Sequence, residues 1–213
     1  MNMSRIAAAL VALSILSCAK PPPTRPEPRP LPPEARPSDL DQRLLKIARE
    51  YEQYGVVDMK FSWVQLLCRV YQPPGRISES DDAATHGGKI YLLYAKDWKA
   101  YVSGIKESQP VGQAIVKEAW DPKAISREEF EASGAYDYEH RMQPAERDGA
   151  HFTAGKKHGL FIMFKDEQGW HYGTVSPNGR RVLQSGRIAS CIKCHQDARP
   201  DSLYGLPGHP QDR

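Results

Sequence analysis

The chain has 213 residues, with 29 Lys and Arg against 26 Asp and Glu, and its formal net charge of +3 at pH 7 is spread along the sequence without a basic block. Nucleic acid is therefore not an expected partner, since binding of the phosphate backbone rests on concentrated positive charge. Beyond the N-terminus no apolar run suggests an integral membrane segment, and there is no internal repeat.

Residues 1–18, MNMSRIAAALVALSILSC, read as a signal peptide: a short n-region with Arg5, then an apolar run from Ile6 to Leu16 that is too short to span a bilayer. The run ends in Ile15-Leu16-Ser17-Cys18, which resembles the bacterial lipobox, so Cys18 is the expected site of lipidation. An ordinary secretory signal with an incidental cysteine is the alternative. Both readings export the mature chain, and the lipobox implies a periplasmic lipoprotein held at the outer membrane. Residues 19–37 follow as a Pro-rich disordered tether. Pro21 to Pro37 holds nine of the eighteen prolines, and a polyproline spacer of that length reaches roughly 50 Å. Residues 38–213 have the size of one domain.

Ser38-Asp39-Leu40-Asp41 predicts a capping box, opening a helix to about Tyr54 with Leu40, Leu44, Ala48 and Tyr51 on one face. Strand-like runs follow at Phe61 to Tyr71, Lys89 to Tyr94 and Gln113 to Trp120. Trp98, Tyr101 and Ile105 mark a helix within Lys96 to Lys106, and a short helix is expected from Ser126 with Glu129 as its box partner. The C-terminal third reads as a meander, Gly159 to Phe164, Trp170 to Val175 and Arg181 to Gln184, with a Pro177-Asn178-Gly179 turn. The fold class predicted is mainly β (α+β), an antiparallel sheet with peripheral helices.

After the meander comes Cys191-Ile192-Lys193-Cys194-His195. C-x-x-C-H is the attachment signature of c-type haem: two thiols on one turn of backbone add across the vinyl groups, and the adjoining imidazole reaches the iron from the proximal side. A tetrahedral zinc site lacks a second ligand cluster to supply its fourth corner. A thioredoxin-like pair wants a βαβ setting that is missing here. With Cys18 given to the lipid and Cys191 and Cys194 to the haem, only Cys68 remains, read as a small buried hydrophobe.

The succession KIYLLYAKDWKAY, PVGQAIVKEAW, GLFIMFKDEQGWHYGTVSPNGRRV and SCIKCHQDARPDSLYGLP resembles the cytochrome P-460 and cytochrome c′-beta family over roughly residues 60 to 206. That resemblance implies a mainly β, often dimeric, periplasmic monohaem protein with five-coordinate iron. It implies one of two activities: oxidation of hydroxylamine, or binding of nitric oxide and other small gases without turnover. It also implies a redox partner protein for the oxidising branch, and a lysine bonded to the haem, for which Lys117 is the aligned position and Lys165 a second candidate. A solvated strand lysine is the alternative for Lys117. Glu118 is the candidate proton acceptor for N–H or O–H oxidation, with a solvated strand carboxylate as the alternative. A six-coordinate electron-transfer haem would need a second axial ligand from Met142, Met163, His86, His140, His151, His158 or His171.

Overall fold

A computed structural model describes residues 38–57, 75–80, 86–103, 108–132, 142–198, 201 and 203–204. The signal peptide with Cys18, the tether, the Phe61 to Tyr71 run with Cys68, and His140 lie outside the described residues. The chain divides into Met1–Ala35 and Arg36–Arg213, and all described residues belong to the second unit.

Helix α1 (Asp39–Glu50) starts on the predicted capping box: the Asp41 amide donates to Ser38 Oγ at 3.1 Å and the Ser38 amide to Asp41 Oδ2 at 3.3 Å. A 3-10 turn, Tyr51–Gln53, continues it. Leu44, Ile47, Ala48 and Tyr51 are buried, the large side chains each contributing about 1.5–3 kcal/mol by leaving water. Strands β1 (Gly55–Val56), β2 (Arg76–Ile77) and β3 (Ile90–Ala95) lead to α2 (Trp98–Ser103), and the predicted helix residues Ile105 and Lys106 lie outside the described residues. Then come β4 (Ala114–Ile125), α3 (Arg127–Ala132), β5 (Ala145–Arg147) and β6 (Ala150–Asp166), with α3 opening on the expected Ser126–Glu129 box. Strands β7 (Gly169–Val175) and β8 (Val182–Gly186) precede α4 (Ala189–His195).

Every pairing is antiparallel, in the order β1-β3-β4-β6-β7-β8, with β2 also against β3 and β5 also against β6. The predicted antiparallel sheet with peripheral helices is thus the observed mixed fold, with the C-x-x-C-H motif on a helix near the C-terminus. Strands β4 and β6 run on beyond their predicted ends. Irregularities between Ala119 and Pro122 let β4 continue through Pro122, whose missing amide donor would otherwise interrupt a ladder.

The sheet separates two apolar layers. Alternation along each strand sends Val116 of β4 and Ile162 and Phe164 of β6 to the face covered by α1. Ile115 of β4, Met163 of β6 and Trp170 and Tyr172 of β7 point the other way, where Tyr101 of α2 and Ile188, Cys191 and Ile192 of the α4 region pack. Gly173 explains the close fit of α1: a Cβ there would collide with the Leu44 side chain.

Candidate functional site

On the second face, α4 carries Cys191, Cys194 and His195 at positions i, i+3 and i+4, which brings all three side chains to one side of the helix. Among the described residues neither cysteine is in a disulfide, and Cys191 is half-buried and Cys194 exposed. Ile188 enters the helix in extended conformation, and the Ile192 amide donates to its carbonyl at 3.0 Å. The His195 imidazole lies beside two aromatic rings, Tyr172 of β7 and Tyr204, each with its centroid 5.4 Å away. Burial pushes the Tyr172 phenol up to about 12, so it stays neutral beside the motif.

These residues fit a c-type haem. The two thiols and one imidazole share a helix side, on which Cys191 packs against the apolar wall of the sheet and His195 lies beside Tyr172, while Cys194 is exposed. Among the described residues no three His, Cys, Asp or Glu side chains converge as they would around a single metal ion. A closed zinc site built on the pentapeptide has no such support. The arrangement supports a c-type haem-binding protein with Cys191 and Cys194 as attachment points and His195 as iron ligand.

Lys117 lies on the same face of the sheet as Ile115. Its ladder partner is Phe161 of β6, which in turn pairs with Thr174 of β7. Two strand spacings of about 4.8 Å and two residues of about 3.4 Å separate the Lys117 and Tyr172 backbones, roughly 12 Å in all and comparable with the width of a porphyrin. The Lys117 amine donates to Ser78 Oγ at 2.8 Å, lies 3.2 Å from His86 Nδ1 and sits 4.0 Å from the centroid of the Tyr91 ring. Burial lowers its pKa from the ordinary lysine value to about 7, so the neutral amine, a base and a nucleophile, is well populated near neutral pH.

Glu118 occupies the adjoining position and therefore the opposite face. Its carboxylate accepts from Tyr51 at 2.8 Å and from Tyr94 at 3.1 Å, and forms an ion pair with Lys157 at 2.6 Å. All three partners belong to the layer under α1 or its margin, and burial together with the Glu118 charge pushes the Tyr51 phenol far up. The strand alternation thus separates Glu118 from the motif and brings Lys117 towards it.

The other candidates are distributed between the two faces. Met163 is buried on the motif face and is the ladder partner of Tyr172, whereas Met142 is buried in the layer with α1. Lys165 pairs with Asp201 at 2.8 Å. His86 belongs to the Lys117 cluster and His158 stacks on Phe161. His151 packs on Phe130, and His171 stacks on Phe164 and lies 2.8 Å from Asp166. Sequence reading missed Tyr172, Tyr204 and Asp201 as members of the site, and gave His86 no role beside Lys117. No spacing rule marks them, because tertiary structure alone brings them to the motif. No family model matches the chain, and no curated protein matches it.

Proposed function

We propose that this protein is an exported monohaem c-type cytochrome resembling cytochrome P-460, which binds small nitrogen species, hydroxylamine or nitric oxide, at an open haem position and oxidises hydroxylamine. The observation that carries this reading is the Cys191, Cys194 and His195 face of α4, set against an apolar sheet wall that also holds a lysine with a lowered pKa. Bound haem supplies an iron with one position open to a small molecule and the capacity to exchange single electrons. Cys191 and Cys194 hold it, and His195 ligates it. Ile115, Met163 and Tyr172 keep water from that side of the sheet. Oxidising an N–H or O–H bond releases protons, and Lys117 on this face, with His86 beside it at 3.2 Å, is a candidate to take one near neutral pH, whereas Glu118 is committed to Tyr51, Tyr94 and Lys157. The lysine-to-haem bond that the resemblance implies is the alternative use of the same amine, and a bonded Lys117 would not act as the base. Electrons would leave to a redox partner protein.

One observation favours a second reading. Met163 lies on the motif face beside Tyr172, and a methionine ligand there would make a six-coordinate electron-transfer haem. Carbon monoxide separates the two. On the open-site reading the ferrous protein binds it in one phase, with an observed rate that rises linearly with ligand concentration. A rate that plateaus means a protein ligand must leave first, and the open-site reading then fails. Hydroxylamine with an artificial electron acceptor distinguishes the remaining pair: turnover marks the enzyme, and binding without turnover marks a gas-binding protein.

Cys18 is the proposed lipid attachment point, holding the domain at the periplasmic side of the outer membrane through acyl chains rather than a transmembrane helix. Cys18→Ser should move the protein from the membrane fraction to the soluble fraction. Retention in the membrane fraction would contradict the anchor.

A further inference from the structure

Resting on the haem reading of α4, we infer that Tyr204 positions His195, and that Asp201 anchors the strap that holds Tyr204 there. Helix α4 has seven residues, no side-chain hydrogen bond at its N-cap and no buried residue. A helix this short is marginal by itself, and its last carbonyls need partners from elsewhere. The Cys194 carbonyl, immediately before the ligand, accepts from the Asp197 amide at 3.3 Å and, more closely, from the Tyr204 hydroxyl at 2.7 Å. The Tyr204 ring meets the His195 imidazole edge-on at an interplanar angle of 70°, and the Tyr172 ring lies against the same imidazole at 48°.

The strap is fastened independently of the helix. The Tyr101 hydroxyl of α2 donates to the Tyr204 carbonyl at 2.7 Å, and Leu203 is buried in the motif-side layer. Trp170 Nε1 of β7 donates to the Asp201 carbonyl at 3.1 Å. The Asp201 carboxylate accepts from the Gln109 amide at 2.6 Å, Lys165 Nζ at 2.8 Å and Ser108 Oγ at 3.2 Å. Asp201 adopts a φ of 54°, a left-handed conformation that a non-glycine residue keeps only when its surroundings hold it. Tyr204 itself is 47% exposed, so its contribution to core burial is small. Its hydroxyl and its ring edge both go to the haem-binding turn. The device suits restraint of a ligand ring: one aromatic ring from the sheet, one from the strap, and a hydrogen bond to the backbone beside the ligand.

The test compares Tyr204→Phe, Tyr204→Leu and Asp201→Asn with the wild type, all made with c-type haem maturation active. Covalent haem is read by staining on a denaturing gel, fold by thermal unfolding, and ligand orientation by the electron paramagnetic resonance spectrum of the ferric protein. Expected is full haem retention throughout. The g-values should shift and broaden in Tyr204→Leu and Asp201→Asn, and by less in Tyr204→Phe, which keeps the ring and loses the hydrogen bond. A merely structural strap lowers the unfolding temperature and leaves the g-values unchanged, and unchanged g-values in Tyr204→Phe and Tyr204→Leu overturn the inference. Tyr204→Phe decides alone if the other two variants fail to fold. A wild-type band without haem overturns the haem reading and this inference with it, and is recognised on the gel before any spectrum is recorded.

Discussion

Haem should remain with the wild-type polypeptide through a denaturing gel, and should be lost completely when Cys191 and Cys194 are both replaced by alanine. A thioether survives denaturant, whereas coordination by an imidazole does not, so the gel reads the covalent linkages alone. Each single variant keeps one linkage and should keep stainable haem. The two should differ in stability: Cys191 is half-buried against the motif-side layer of the sheet, so Cys191→Ala removes packing, while Cys194 is exposed and Cys194→Ala removes little. Large-to-small changes at partly packed positions cost about 1 kcal/mol, and exposed ones stay within about 0.5 kcal/mol. His195→Ala should leave the haem attached and change its optical spectrum, because the ligand bond is separate from the thioethers. A wild-type band without stain, from cells with c-type maturation active, would contradict the assignment of the motif.

The motif was legible because its chemistry is fixed by residue type and by spacing along one helical turn, neither of which depends on the rest of the fold. Helix α1 was legible for the same kind of local reason, a capping box followed by apolar residues on one face. The cores of β3, β4, β6 and β7 showed as clusters of bulky and β-branched residues. The first half of β6, AHFTAGKKH, did not: with one glycine, two lysines and few bulky residues it carries no strand signal, and it becomes a strand by pairing with the extension of β4 and with β5. Facing was harder still. Alternation says that Lys117 and Glu118 oppose each other, but which one shares a face with the motif depends on the side to which the chain after β8 returns. That is decided by the long-range packing of Ile188, Cys191 and Ile192 against Tyr172 and Met163. Asp201 and the fastening of Tyr204 to Tyr101 were invisible for a similar reason, since those partners lie on α2, β6 and β7, far away in sequence.

Stability should rise with pH from about 7 towards 10.5 in the wild-type protein, and Lys117→Met should remove that part of the rise. Burial lowers the Lys117 pKa from 10.5 to about 7 in the folded chain, while the unfolded chain keeps the ordinary value. Between the two values the unfolded state holds a proton that the folded state has released, so raising the pH favours folding. Above 10.5 the amine is neutral in both states and the penalty vanishes. Below about 7 it is protonated in both, and the penalty is constant at its maximum, about 5 kcal/mol for a shift of this size. The stabilisation by Lys117→Met should therefore be greatest at or below pH 7 and shrink towards pH 10.5. It is offset in part by loss of the Ser78 hydrogen bond and the Tyr91 ring contact, which do not follow that profile. Denaturant unfolding across this range measures the difference directly. A lysine bonded to haem has no such titration. A wild-type profile without the rise, together with a Soret band displaced far to the red, would therefore identify the crosslink. A flat profile with an ordinary c-type spectrum would contradict the burial of the amine.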